Sequence, residues 1–275
     1  MSWGRRILRM FLIVILTPVL FLLGCQSRLI YYPRQYAEED MAALRKAGGR
    51  QLDYRTNQGK QAAFYIPPTG DTEDQPHRVW LCFAGNGSLA LDWLFALDGW
   101  DRSCGYLLID YPQYGCCEGK PTPSRIRDSS VAAVERLAEE MKVSVDNLKP
   151  KLSVIGHSIG CAAALMAAHD LDVKRAVLIS PFTTMTDMGR RVLGWPLCYL
   201  NLHRFDNRVH LAAIMKKGAQ VTIFHGSDDD NIPISMSREL AAAHPETVKL
   251  IEVSGAGHND IIDIAEAQFA AEMKQ

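Results

Sequence analysis

Leu152-Ser153-Val154-Ile155-Gly156-His157-Ser158-Ile159-Gly160-Cys161-Ala162-Ala163-Ala164 holds two kinds of structure and a turn between them. Leu152–Ile155 is a short, mostly apolar run, the pattern of a buried strand. From Ile159 to His169 the chain is rich in alanine, the best helix former. Between the two stands Gly156-x-Ser158-x-Gly160. At ordinary glycine and serine frequencies a chain of this length shows such a pattern by chance about once in ten. Its position is the stronger signal. A strand that turns sharply into a helix lifts the serine between them to the end of the sheet, and the glycines let the backbone turn tightly. The helix N-terminus behind the serine favours developing negative charge. Ser158 is therefore the candidate nucleophile.

Outward from this stretch the chain alternates short apolar runs with helical patterns. Residues 50–56 and 60–66 read as a hairpin turning at Asn57–Gly59. Further strands are expected at 79–83, 105–110, 176–179, 221–224 and 248–253. Apolar residues at Ile126, Val131, Val134, Leu137 and Met141 fit helical spacing, and Ile261–Met273 reads as the last helix. Eight strands alternating with helices predict an α/β domain: a mainly parallel sheet with helices on both faces. Reactive groups in such sheets gather at the carboxyl ends of the strands. Pro181 to about Asn207 interrupts the alternation and reads either as a small cap or as a surface helix with an apolar buried face.

The serine needs a base, an orienting acid and an oxyanion pocket. Gly255-Ala256-Gly257-His258 follows the last strand, and a glycine-containing loop brings His258 back toward Ser158, where a base must reach hydrogen-bond distance. The other seven histidines lie in strands, helices, the turn itself or on the surface. Asp228, Asp229 and Asp230 follow the strand 221–224, where an acid that orients the imidazole belongs in chain order. Position alone leaves the three in competition. Two backbone N–H groups are needed for the oxyanion: Ile159, directly after the serine, and Asn86, in the loop after Phe83.

These stretches together resemble the small single-domain α/β hydrolases related to eukaryotic protein depalmitoylases and their bacterial homologues. The resemblance runs from about Leu29 to the C-terminus. Ala84-Gly85-Asn86-Gly87, Asp110-Tyr111, Tyr114-Gly115, Gly119-Lys120-Pro121, the serine turn, Ser180-Pro181-Phe182, His225–Pro233 and Gly255–Asp260 carry it. It implies the α/β-hydrolase fold. It selects Asp229, four residues after His225 of His-Gly, as the catalytic acid, and it matches His258 and Asn86 to the family's base and oxyanion donor. Ala84-Gly85 departs from the family's His-Gly in the oxyanion loop. The donor N–H belongs to the following residue, so the departure leaves the donor in place. Cys116-Cys117 departs too, where relatives carry small residues.

The N-terminus reads as an address. Arg5, Arg6 and Arg9 precede fifteen uncharged residues, Met10–Gly24, short of the roughly 20 that a membrane span needs. Leu22-Leu23-Gly24-Cys25 resembles the lipobox of bacterial lipoproteins. The expectation is a lipoprotein signal peptide at 1–24, lipidation of Cys25, and a hydrolase domain at 25–275 with a cap insertion at about 181–207. An uncleaved membrane anchor is the alternative. Both place the domain in the cell envelope, with the lipoprotein facing the periplasm or exterior.

The chain is 275 residues long, with 48% hydrophobic and 22% charged residues and a net charge of −1, which argues against a nucleic-acid footprint. No repeat or low-complexity segment is present. Six cysteines besides Cys25 permit disulfides in an oxidising compartment, with Cys104, Cys116 and Cys117 in loops that allow pairing and Cys82 and Cys161 in apolar contexts. No Cys/His grouping has metal-ligand spacing, so neither a metal nor a cofactor is expected. The predicted activity is acyl transfer from esters or thioesters, small or acylated, through Ser158. A serine peptidase on the same fold and a non-catalytic, membrane-anchored binding lipoprotein are the rival readings. Oligomeric state is not legible.

Overall fold

The computed structural model describes residues 3–69 and 76–274. Residues 1–2 of the expected signal segment, and residues 70–75 and 275 of the expected domain, lie outside the described residues. Eight strands form one sheet: β1 (Arg50–Thr56), β2 (Gly59–Ile66), β3 (Val79–Phe83), β4 (Gly105–Ile109), β5 (Leu152–His157), β6 (Arg175–Ile179), β7 (Gln220–Gly226) and β8 (Val248–Val253). Their spatial order is β1-β2-β4-β3-β5-β6-β7-β8. β1 pairs antiparallel with β2, and β2 antiparallel with β4; every other pairing is parallel. The expected mainly parallel α/β sheet is the observed one.

The helices are α1 (Trp3–Ile30), α2 (Glu38–Lys46), α3 (Leu94–Leu97), α4 (Pro123–Glu140), α5 (Val145–Leu148), α6 (Ile159–Leu171), α7 (Met185–Leu193), α8 (Asn207–Met215), α9 (Ile234–Ala242), α10 (Ile261–Ile264) and α11 (Glu266–Lys274). The single helix expected at 261–273 is two, broken at Ala265.

Strand alternation explains why both faces are covered. Val79, Leu81 and Phe83 of β3 pack into one apolar cluster with α4, α6 and α8. Trp80 and Cys82 point the other way, into a second cluster with α3, α10 and α11. A strand buried on both faces reads as a continuous apolar run, and all five residues of β3 are buried. α6 lies close against the sheet because its face is alanine and glycine: a Cβ on Gly160 would stand 2.2 Å from the Phe83 carbonyl oxygen.

The interruption at 181–207 leaves the sheet at the carboxyl end of β6. It holds α7 and a short 3₁₀ turn, Leu197–Leu200, and returns through a bridge between Thr184 and Asp206 into α8. α7 carries no fully buried residue, and its Met185 and Met188 pack half-buried against the core.

α1 runs unbroken through Gly24-Cys25 and is long and apolar enough to cross a membrane by length and composition. Its last turn meets the domain at Gln26 and Ser27, beyond the expected cleavage point. All seven cysteines are free, so none of the pairings that the sequence permits is made. Cys82 and Cys161 are fully buried, as their apolar contexts suggest.

Candidate active site

Ser158 sits between β5 and α6 at φ 58°, ψ −119°. Positive φ is costly for a residue with a Cβ, on the order of 1–3 kcal/mol, so the turn must be held by its surroundings. The Ser158 N–H donates to the Ile179 carbonyl at the end of neighbouring β6 (2.9 Å). Gly156 and Gly160 face each other so closely that a Cβ on Gly156 would lie 2.3 Å from the Gly160 oxygen. The glycines of Gly-x-Ser-x-Gly are thus required by backbone contact as well as by the turn.

The acid and base come from the next two crossings. Gly226, at the end of β7, admits no Cβ because the Ala256 carbonyl would stand 2.1 Å away. Across that close approach the Asp228 N–H donates to the Ala256 carbonyl (3.0 Å), the Ser227 N–H to the Val253 carbonyl (2.9 Å) and the Gly255 N–H to Ser227 Oγ (2.9 Å). Tied together, the two loops bring His258 Nδ1 to 2.7 Å from Asp229 Oδ2. Asp229 is buried, whereas Asp228 and Asp230 are exposed, so the fold singles out one of the three. Its other oxygen accepts from the backbone N–H groups of Asn231 (3.0 Å) and Ile232 (2.8 Å). Burial alone would raise the Asp229 pKa. The hydrogen bonds from His225, His258 and Ile232 outweigh it and hold the carboxyl well below the usual range.

Two histidines left aside on sequence grounds complete the frame. His225, fully buried, donates from Nε2 to the Ile232 carbonyl (2.8 Å), so its Nδ1 accepts from the Ser237 hydroxyl (2.6 Å). It lies 3.3 Å from Asp229 Oδ2 as well. His157, inside the serine turn, donates from Nε2 to the His258 carbonyl (2.9 Å), and the two rings lie tilted at 38° with centroids 4.7 Å apart. Burial, then the neighbouring His258, push the His157 pKa down to about 4. A neutral His157 therefore ties the backbone of His258 to the residue that precedes Ser158. No sequence signal marks this contact, because the partner lies 101 residues away.

Ile159 opens α6, where the first N–H groups of a helix lack partners within it. Asn86 lies in the loop after β3. Its side-chain amide donates to the Ile30 carbonyl (3.0 Å), and its own carbonyl accepts from Tyr32 N–H (3.0 Å) and the Tyr114 hydroxyl (2.5 Å). Among the described residues no acceptor is recorded for its backbone N–H. Ala84, where the resembled family carries histidine, accepts the Tyr111 hydroxyl at its carbonyl (2.6 Å). Behind this loop Asp110 is buried, accepting from Tyr36 (2.6 Å) and from the Ala90 N–H (2.8 Å). Asp110, Tyr111 and Tyr114 belong to a stretch singled out in sequence only as part of a resemblance. Its physical use is to brace the loop.

The fold also gathers His77, Asp101 and Cys104, whose ligand atoms lie within 4.8 Å of one another, at the opposite end of the parallel strands from Ser158. Sequence spacing missed this group because His77 sits on a different loop from Asp101 and Cys104.

A profile of the Alpha/beta hydrolase family matches residues 69–210. An uncharacterised protein of Mycobacterium tuberculosis is 30% identical over 245 residues, covering 88% of this chain and 83% of that protein. Human alpha/beta hydrolase domain-containing protein 17C is 29% identical over 173 residues, covering 63% of this chain and 49% of its own length. Among solved structures, an esterase from Pyrococcus furiosus superposes with a TM-score of 0.62 at 15% identity, covering 89% of this chain and 97% of the esterase.

Proposed function

The chain belongs to the alpha/beta hydrolase family, and on that premise we propose that it is a serine hydrolase cleaving carboxylic esters or thioesters through an acyl-enzyme on Ser158. One observation carries the reading. Asp229 and His258, from separate loops, meet at 2.7 Å, and the His258 carbonyl is held by His157, the residue before a serine at positive φ on a strand–helix turn. With Nδ1 committed to Asp229, Nε2 is the ring nitrogen left for the serine hydroxyl. In the first step Ser158 Oγ attacks the acyl carbon as His258 takes its proton, and the Ile159 and Asn86 N–H groups receive the oxyanion. The alcohol or thiol then departs with the proton from His258. Water, deprotonated by the same imidazole, releases the acid. Asp229 orients the ring and stabilises the imidazolium without taking the proton. This path needs no cofactor.

The same proposal takes the N-terminus as the membrane attachment, through a lipid on Cys25 after removal of 1–24, and places the domain on the outer side of the membrane that holds it. Globomycin, which blocks lipoprotein signal peptidase, would leave the segment uncut; unchanged processing would refute the lipid anchor and leave α1 as the anchor.

Purified protein should hydrolyse p-nitrophenyl esters and acyl thioesters faster than aminoacyl-anilides, with Ser158→Ala inactive on all. Faster cleavage of the anilides would overturn the ester reading in favour of a peptidase. A folded parent inactive on every class would overturn the enzyme.

A further inference from the structure

The segment that carries the attachment point is bolted to the site without a spacer. The Gln26 side chain donates to the Leu200 carbonyl (2.9 Å) and accepts from the Leu202 N–H (2.6 Å), and its residue is buried. Ser27 and Tyr31 reach the two ring nitrogens of His203, each at 3.2 Å. Four residues on, Ile30 and Tyr32 hold both ends of Asn86 in the oxyanion loop. Whether the chain is attached by α1 or by a lipid on Cys25, the membrane meets the protein within a few residues of these bonds. A tether this short fixes which face of the domain looks at the bilayer.

That face is built for it. Between Val192 and Leu202 five large apolar or aromatic side chains are exposed, Trp195 at 77% and Leu202 at 66%. Leu29 and Tyr32 on the tether are half-exposed beside them. From Met188 to Phe205 there are three arginines and no acid, although after residue 24 the chain carries 27 basic against 31 acidic side chains. Arg190, Arg191 and Arg204 are all exposed. Exposed apolar groups interleaved with arginine, next to an anchor, are the composition of an interfacial surface. Aromatic and aliphatic tips enter the headgroup layer while guanidinium groups meet lipid phosphates.

We propose that Val192–Arg204, with the adjoining tether Gln26–Tyr32, is a membrane-docking face that seats the mouth of the Ser158 site on an anionic bilayer. It rests on the serine-hydrolase reading only in naming the site that is seated. Its consequence is a substrate class: acyl groups already embedded in the lipid layer, which reach the serine without crossing water.

The test uses the full chain in phosphatidylcholine vesicles, with and without phosphatidylglycerol, carrying brominated acyl chains. Trp80, Trp93 and Trp100 are buried and the exposed Trp3 on α1 is common to parent and variant, so the quenching lost in Trp195→Phe belongs to Trp195. We expect Trp195 to be quenched, and more strongly with phosphatidylglycerol. Equal quenching in parent and Trp195→Phe would overturn the proposal, whether that surface faces water, a second copy or another protein. In a second arm, Trp195→Asp/Leu202→Asp should slow cleavage of a bilayer-embedded long-chain ester at least about tenfold and leave a short soluble ester untouched. Equal effects on both esters would also overturn it. A parent inactive on the soluble ester would sink the hydrolase reading, while the quenching would still decide the docking.

Discussion

At Asp229 three demands meet on one side chain: burial, three hydrogen-bond donors and an imidazole that must be turned the right way. Two backbone N–H groups take one oxygen, and His258 donates to the other, which also lies 3.3 Å from His225. Asp228 and Asp230 differ by one position and are exposed, with Asp228 satisfied by the Ser227 hydroxyl (2.7 Å). Asp229→Asn should therefore lower kcat on a p-nitrophenyl ester by about 10⁴-fold, as loss of the orienting carboxylate does in serine hydrolysis generally. Asp228→Asn and Asp230→Asn should leave kcat essentially unchanged. A large loss in either neighbour would mean that the loop rearranges in the working enzyme. In the sequence position alone leaves the three in competition and only the family resemblance selects Asp229, because what separates them is which one turns inward, and that is decided by contact between the β7 and β8 loops.

At the scale of elements, the serine turn depends on how closely β5, α6 and β3 approach. Gly156→Ala places a methyl group against the Gly160 carbonyl, and neither is a flexible end that moves aside. We expect a loss of roughly 1–3 kcal/mol in urea unfolding, together with loss of esterase activity as Ser158 shifts. Gly87→Ala, where an added Cβ meets nothing within 4 Å, should stay within about 0.5 kcal/mol of the parent. Equal stability of Gly156→Ala and parent would contradict the close-packed turn. The strands were legible in the sequence because each inner one is a short apolar run bounded by a turn, and Ser158 and His258 stood out as candidates because glycines lie beside them. The break at Ala265 was not, since Ile261–Met273 keeps its apolar spacing across it. The tether Gln26–Tyr32 was hidden for another reason. Its partners, Leu200–His203 and Asn86, are set by tertiary contact, and the address-like run before it draws attention to cleavage rather than to docking.

Across the whole molecule, two buried groups on either side of the loop system pull pH stability in opposite directions. Burial pushes Asp110 up to about 7, against the Tyr36 and Ala90 hydrogen bonds that lower it. An acid whose folded pKa exceeds its unfolded value of about 4 holds its proton more tightly when folded, so stability falls as pH rises between the two and is flat above. His157, pushed down to about 4 from an unfolded value near 6.5, does the reverse: stability rises with pH over that window. The two offset each other in the parent. Asp110→Asn should uncover the histidine, giving a steeper rise in unfolding free energy between pH 4 and 6.5 than the parent shows in urea titrations. Identical slopes would mean that Asp110 is ionised throughout.

The most direct measurement is the mass of the adduct formed with a fluorophosphonate, located by peptide sequencing. The account predicts one phosphonyl group per chain, on Ser158, absent in Ser158→Ala and formed much more slowly in His258→Ala. A folded, unlabelled parent, or an adduct on any other residue, would contradict it.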